Sequence, residues 1–207
     1  MIPRHLLSGL VLAGGRARRL QTAGNPARDK GLVELNGEPL VAHAARFLAA
    51  HVGHTLISAN GNTGFYARYG TVVGDDPLYG AAGGPLVGVA SALAVLTTPW
   101  LAVLPVDVPR LPVDLLPRLA AAASGSPGRI AYAETMRQVH PLCMILHCGA
   151  LAPLRAALLA GERKVRRWQH AQGAAAVRFD DEDMLFFNIN TQEDLCMARQ
   201  RMHPAAP

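Results

Sequence analysis

A chain of 207 residues, half of them hydrophobic and 17% charged, suits one domain with a sizeable core and excludes long disorder. Its net charge of +5 and its 5% aromatic content give neither the basic density nor the stacking platform of a nucleic-acid binder, and fit a small anionic substrate instead. Three cysteines, an odd number, argue against a disulfide framework.

Strand and helix signals alternate along the chain. The apolar run Leu6 to Ala13 reads as a buried strand and stops at Gly14-Gly15. Arg16, Arg18 and Arg19 follow, then a polar loop and Asp29-Lys30-Gly31. Gly31 to Glu38 reads as a short extended piece ending in an Asn36-Gly37 turn, with Pro39 at the first position of a helix through His51. His54 to Ala59 and Thr71 to Gly74 read as strands, with a short helix from Gly61 to Tyr69 between them.

A glycine-rich loop, Asp75 to Gly84, leads to a helix from Pro85 to about Leu96. Trp100 to Pro105 is an apolar strand of the kind found in a parallel sheet covered on both faces. A helix over Asp114 to Ala123 follows, then strands over Arg129 to Thr135 and His140 to His147. Helices over Gly149 to Ala160 and Glu162 to Gln172 precede a last strand, Ala174 to Phe179. Thr191, with Asp194 three residues on, opens a final helix. No linker divides the chain, so the expectation is a single α/β domain over 1–207, mostly parallel, with a frayed tail from His203. No apolar run reaches bilayer length and Met1 to His5 lack a signal peptide's apolar core, so a cytoplasmic protein without membrane contact is expected.

Ligands of such sheets sit beyond the carboxyl ends of the strands. Gly14, Gly15, Asn60, Asp75, Asp76 and Asp107 all fall there. Glycines after the first strand let backbone N–H groups approach a ligand closely. With Arg16, Arg18, Arg19 and Lys30 they suit a polyanion such as a nucleoside triphosphate; the alternative is a strand-to-loop turn with a solvated basic rim. Neither a Walker loop nor a Gly-x-Gly-x-x-Gly fingerprint is present. Asp107, fixed between Pro105 and Pro109, either holds Mg²⁺ beside phosphate oxygens or caps a turn. His140, Cys143, His147 and Cys148 are a weak zinc candidate, because a regular strand would turn His140 away from Cys143 and His147. His140, before Pro141 at a strand start, is a candidate substrate contact.

Leu12-Ala13-Gly14-Gly15-Arg16-Ala17-Arg18-Arg19, Asp29-Lys30-Gly31, Gly83-Gly84-Pro85-Leu86, Pro105-Val106-Asp107, His140-Pro141 and Phe187-Asn188-Ile189-Asn190-Thr191 together resemble the molybdenum cofactor guanylyltransferases. The resemblance runs in family order from Gly9 to the final helix. It implies a three-layer Rossmann-like α/β nucleotidyltransferase fold with a mostly parallel central sheet. It implies an enzyme that uses GTP and Mg²⁺ to attach GMP to molybdenum-bound molybdopterin, releasing pyrophosphate. The family's GTP-binding residues map onto Leu12, Ala13, Gly14, Lys30 and Asp76, and its metal-binding aspartate onto Asp107. Gly15, Arg19, Gly84, Asn188 and Asn190 match further positions near the site.

The chain departs from the family at Leu20, in the longer loop Gln21 to Arg28, at Val106, and at Ser58, where the family has Asn; Asn60 is taken as the nucleotide-side residue in its place. In the mechanism so implied, Lys30 and Arg19 neutralise the leaving pyrophosphate and Asp107 carries the metal. Arg163 and Lys164, with the glycine loop and the side formed by Gly84, Asn188 and Asn190, hold the pterin; the alternative for Arg163 is a solvated helix face. The sister cytidylyltransferases read Leu-Ala-Ala-Gly where this chain has Leu12-Ala13-Gly14-Gly15, and tend to carry Asp at 188 and 190, so GTP is expected over CTP. The remaining rivals are a sugar-1-phosphate nucleotidylyltransferase and a non-catalytic GTP-binding regulator; Asp107 speaks against the latter. Transient contact with proteins that deliver the pterin and accept the product is a further expectation.

Overall fold

The structure, a computed structural model, describes residues 2–14, 29–80, 83–180 and 184–202. In chain order the elements are β1 (Leu7–Leu12), β2 (Glu34–Leu35), β3 (Glu38–Pro39), α1 (Leu40–Ala49), β4 (His54–Ser58), α2 (Thr63–Tyr66), β5 (Thr71–Val73) and α3 (Pro85–Ala94). Then come β6 (Trp100–Pro105), α4 (Leu115–Gly125), β7 (Ile130–Glu134), β8 (Val139–His147), α5 (Leu151–Leu159), α6 (Val165–Ala171), β9 (Ala175–Arg178) and α7 (Gln192–Arg201).

Seven strands among the described residues form one sheet in the order β5-β4-β1-β6-β8-β7-β9. Every strand runs the same way except β8, which is antiparallel to β6 and β7. All six residues of β1 and of β6 are buried, as their unbroken apolar runs require of central strands covered on both faces. Alternate residues feed two separate cores. Leu7 and Val11 of β1 meet Leu40 and Leu48 of α1, Leu115 and Leu119 of α4, and Leu195 of α7. Leu10 and Leu12 meet Leu86 and Val89 of α3, Leu154 of α5 and Trp168 of α6. The result is the three-layer, mostly parallel fold expected from the sequence.

Register then sets the site. Leu12 lies level with Ser58 of β4 and Pro105 of β6, so the chain leaves all three strands at one edge. α3 comes close to that edge because Gly88 replaces a side chain: a Cβ there would stand 2.5 Å from Ser58 Oγ.

Two local expectations need correction. Pro39 is the last residue of a hairpin rather than the first of a helix; it pairs with Glu34 and keeps an extended ψ of 146°. Asn36 and Gly37, both at positive φ, make the two-residue turn, and the chain must finish the second arm before α1 can start. β8 is also irregular. Tyr132 faces Met144 while Ala133 faces His140, so Pro141 to Cys143 bulge from the ladder. His140 and Cys143 consequently border the same small cavity, against the strict alternation assumed from sequence.

Candidate active site

The shared edge of β1, β4 and β6 carries a cleft of about 680 Å³. Leu12, Gly14, Lys30, Ser58, Asn60, Asp75, Gly84, Asp107 and Leu142 are among its walls. Leu142 reaches it because the bulge in β8 pushes it there.

Lys30 is placed by its neighbours. Asp29 is extended and its Oδ1 accepts the Gly31 N–H at 3.2 Å, which starts a single 3-10 turn. Asn62 donates to the other carboxylate oxygen at 3.2 Å. Gly31 is buried, and a Cβ on it would overlap the hydroxyl of the fully buried Tyr66. Each residue of Asp29-Lys30-Gly31 therefore has a job: cap, cation, and space. Burial and the nearby Asp29 push the Tyr66 phenol above its ordinary range, so it stays neutral.

The Lys30 ammonium donates to Asp107 Oδ2 at 2.8 Å and to Asn190 Oδ1 at 2.6 Å. Both side chains of the Lys30–Asp107 pair are largely shielded, at 15% and 16% exposure. Asp107 is fixed by its backbone: Val106 N–H donates to Leu12 O, and Ile189 N–H donates to Asp107 O at 2.9 Å. Asn190 is equally fixed, because Asp194 Oδ2 accepts from the N–H groups of both Asn190 and Thr191. That capping box at the start of α7 is the one expected from Thr191 and Asp194.

The opposite wall is a reciprocal pair. Asn60 Nδ2 donates to Asp75 Oδ2 at 2.9 Å, and Asp75 N–H donates to Asn60 Oδ1 at 2.7 Å. Gly83 and Gly84 follow at φ +36° and +111°, and Pro85 starts α3. The ten-residue α3 thus points its N-terminus, without a side-chain cap, at the cleft, where a helix end favours negative charge.

Several sequence candidates sit differently from expectation. The N–H groups of Ala13 and Gly14 both donate to Ser58 O at 3.0 Å, so these two amides are taken by the sheet and do not cradle a ligand. Ala13 itself is fully buried, whereas Leu12 and Gly14 line the cleft. Asp76 turns away: its carboxylate accepts Leu78 N–H at 2.9 Å and caps the Pro77–Tyr79 turn, while Asp75 takes the cleft position. The Gly74-Asp75-Asp76-Pro77 run does not by itself say which acid faces inward; the cap demanded by Pro77 decides it. Arg163 is neither solvated nor in the cleft. Its guanidinium donates to the carbonyls of Leu158 and Glu162 and to Tyr79 O, tying α5 to the stem of the glycine loop. Gly15, Arg16, Arg18, Arg19 and the loop 21–28 lie outside the described residues.

A second cavity of about 240 Å³ adjoins the first through Asp107 and Leu142. Asn188 borders it, and its Oδ1 is buried with no hydrogen-bond partner. His140 stacks on Phe186 beside it, with ring centroids 4.4 Å apart. Burial and the Asp107 charge push the Cys143 thiol well above the ordinary thiol range, so it is no nucleophile. Among the described residues no group of three or more His, Cys, Asp or Glu could hold a metal alone. Of the three carboxylates that line the cleft, Asp29 caps the turn before Lys30 and Asp75 pairs with Asn60, which leaves Asp107 as the one that fits a cation sharing its coordination with phosphate oxygens.

A mostly parallel sheet with a lysine–aspartate pair, a glycine loop and an open helix end at one edge is an arrangement suited to a phosphate-bearing substrate. Residues 9–176 match the family model described as the MobA-like NTP transferase domain, and the chain belongs to that family. A Burkholderia vietnamiensis protein named molybdenum cofactor guanylyltransferase is 39% identical over 205 residues, covering 94% of this chain and 96% of its own. A Shewanella amazonensis protein of the same name is 36% identical, covering 91% and 93%. The crystal structure of molybdopterin-guanine dinucleotide biosynthesis protein A from Archaeoglobus fulgidus shares the fold, with a TM-score of 0.74, 23% identity and coverage of 93% and 97%. The chain is therefore a nucleotidyltransferase, of a family that typically uses a divalent metal. No helix among the described residues is long and apolar enough to cross a membrane.

Proposed function

We infer that this chain transfers GMP from GTP to molybdenum-bound molybdopterin, releasing pyrophosphate and making the molybdopterin guanine dinucleotide cofactor. The names of its relatives supply the reaction. The observation that carries the site is the Lys30–Asp107 pair at 2.8 Å, at the mouth of β6 and beside the α3 N-terminus.

The pterin's terminal phosphate attacks the α-phosphorus of GTP in line; one P–O bond forms as the bond to the β-phosphate breaks. Such transfers rest on positioning and charge stabilisation rather than on a covalent enzyme intermediate. Mg²⁺ suits the hard carboxylate and phosphate oxygens at Asp107, and when bound supplies charge neutralisation there. Lys30 holds the phosphates as their charge builds, and Arg19, which lies outside the described residues, is its proposed partner on the leaving group. Asn60 and Asp75 form the nucleoside wall, and the part played by Asp76 is to fix the turn that leads into that wall. Gly84, expected on the pterin side, lines the same cleft as Lys30 and Asp107, and there the α3 N-terminus suits phosphate as well. Asn188 borders the second cavity, the proposed pterin side, where its unpaired Oδ1 suits an N–H donor such as a pterin carries; Asn190, expected on that side too, holds Lys30.

Gly14 supports the choice of base. It is outside the left-handed region, and among the described residues a Cβ on it would meet Ser58 O alone, at an ordinary 3.8 Å. Among the described residues nothing requires glycine there, and its bare backbone leaves room for a ligand to approach closely. We propose a cytoplasmic reaction, where GTP is at hand, with transient contacts to the proteins that deliver pterin and take the product. Incubation with GTP, Mg²⁺ and molybdopterin is expected to yield the guanine dinucleotide by mass. A product with CTP and none with GTP would overturn the reading.

A further inference from the structure

The Lys30 ammonium sits where a cation would bind Asp107. It is 2.8 Å from Asp107 Oδ2, and both side chains are mostly shielded from water. A divalent ion approaching that carboxylate meets a positive charge already in place, in a site where water screens little. The same ammonium is held at 2.6 Å by Asn190 Oδ1, a neutral acceptor anchored by the α7 capping box. Lysine has three donors on a flexible stem, so it can drop one partner and keep another.

We propose that Asn190 is a positioning residue for Lys30, and that the pair makes cation binding at Asp107 conditional on nucleotide. Without nucleotide, Lys30 neutralises Asp107 and free divalent ions are refused. When a triphosphate arrives with its cation, its oxygens compensate the ammonium as it leaves Asp107. Asn190 keeps the ammonium within reach of the phosphates during that exchange. A neutral amide is needed for this. A carboxylate at 190 would draw Lys30 to itself and leave Asp107 open to bare cations.

The inference rests on the nucleotide reading above, and the test separates the two. Mn²⁺ serves as the probe, counted as the ion retained with the protein on ultrafiltration, with and without GTP, against a protein-free mixture of GTP and Mn²⁺ as the blank. The native chain is expected to hold Mn²⁺ only with GTP. Lys30→Met and Asn190→Asp are each expected to bind Mn²⁺ without GTP at least tenfold more tightly than the native chain. Asn190→Asp adds a carboxylate that could itself take the ion, so Lys30→Met, which adds no ligand, decides whether the gain comes from a freed Asp107; Lys30→Gln takes its place if Lys30→Met does not fold. Native GTP-dependent binding with no nucleotide-free gain in the Lys30 variant overturns this inference alone. Native binding of Mn²⁺ that is equally tight without GTP also overturns it. A native chain that takes up neither GTP nor Mn²⁺ overturns the nucleotide reading and this inference together.

Discussion

Lys30 Nζ lies 2.8 Å from Asp107 Oδ2 although 77 positions separate the two residues. The 3-10 turn after Asp29 brings one, and the end of β6 brings the other. Replacing Asp107 by Ala removes the one carboxylate that Lys30 contacts among the described residues, which is also the proposed metal ligand. Turnover should fall at least about a hundredfold, the usual cost of losing a charge-stabilising group. Lys30 keeps Asn190 as a partner and the backbone bonds of residue 107 remain, so the fold should lose only about 1–2 kcal/mol. Full activity in this variant, measured as pyrophosphate release, would refute the assignment.

Gly31 and Tyr66 give a second test, one that links packing to the site. A Cβ at 31 overlaps a phenol that is fully buried and has no room to swing. Gly31→Ala should cost about 1–3 kcal/mol, as overpacking does. It should also displace Lys30, the next residue, and lower turnover. Removing the clashing atom with Tyr66→Phe in the same chain should restore both. Chemical denaturation and turnover of the four members of that cycle measure the coupling; strict additivity would show that the two residues do not clash.

Gly14 and Gly84 are predicted to differ in kind. Gly84 sits at φ +111° and ψ 166°, a conformation open essentially to glycine alone. Gly84→Ala should therefore destabilise by about 1–3 kcal/mol and loosen the start of α3. Gly14→Ala meets no close neighbour among the described residues and should leave the unfolding midpoint unchanged. Its effect should fall on nucleotide choice, with weaker GTP binding and less discrimination against CTP. Thermal shifts with each nucleotide separate the outcomes, and a Gly14→Ala chain with native GTP preference would sink the base argument.

How far the sequence speaks depends on the kind of residue. β6 was readable because six apolar residues in a row have no place but a doubly covered strand, and its C-terminal end fixes Asp107. The capping box at Thr191 was readable because it is local chemistry. The bulge in β8 was not, since His140 to His147 looks like one continuous strand and only pairing with β7 reveals the extra residues. Asp75 against Asp76 was not, because both are acids at one strand end and a single capping bond chooses between them. The amides of Ala13 and Gly14 misled for a related reason. Glycine advertises a free backbone, but the carbonyl of Ser58 on the neighbouring strand claims both N–H groups. Arg163 reads as one more charge on a helix, and only the third dimension shows it bonded to Tyr79 O.

At the far end of the sheet, His147 gives a pH test that leaves the cleft untouched. Its Nδ1 accepts the Gly149 N–H at 3.1 Å, a bond that requires an unprotonated nitrogen. The ring packs edge-on against Trp100, and the Arg129 guanidinium lies over that same indole. Burial first, and the Arg129 charge second, hold the His147 pKa below its ordinary 6.5. The folded chain thus binds this proton less readily than the unfolded chain. Its contribution to stability is complete above pH 6.5, and is lost as pH falls from 6.5 through the lowered folded value. Urea unfolding across pH 7.5 to about 5 should show a steeper decline in the native chain than in His147→Gln, which carries no titrating group there. Parallel declines in the two chains would mean that His147 takes up its proton as easily in the fold as out of it.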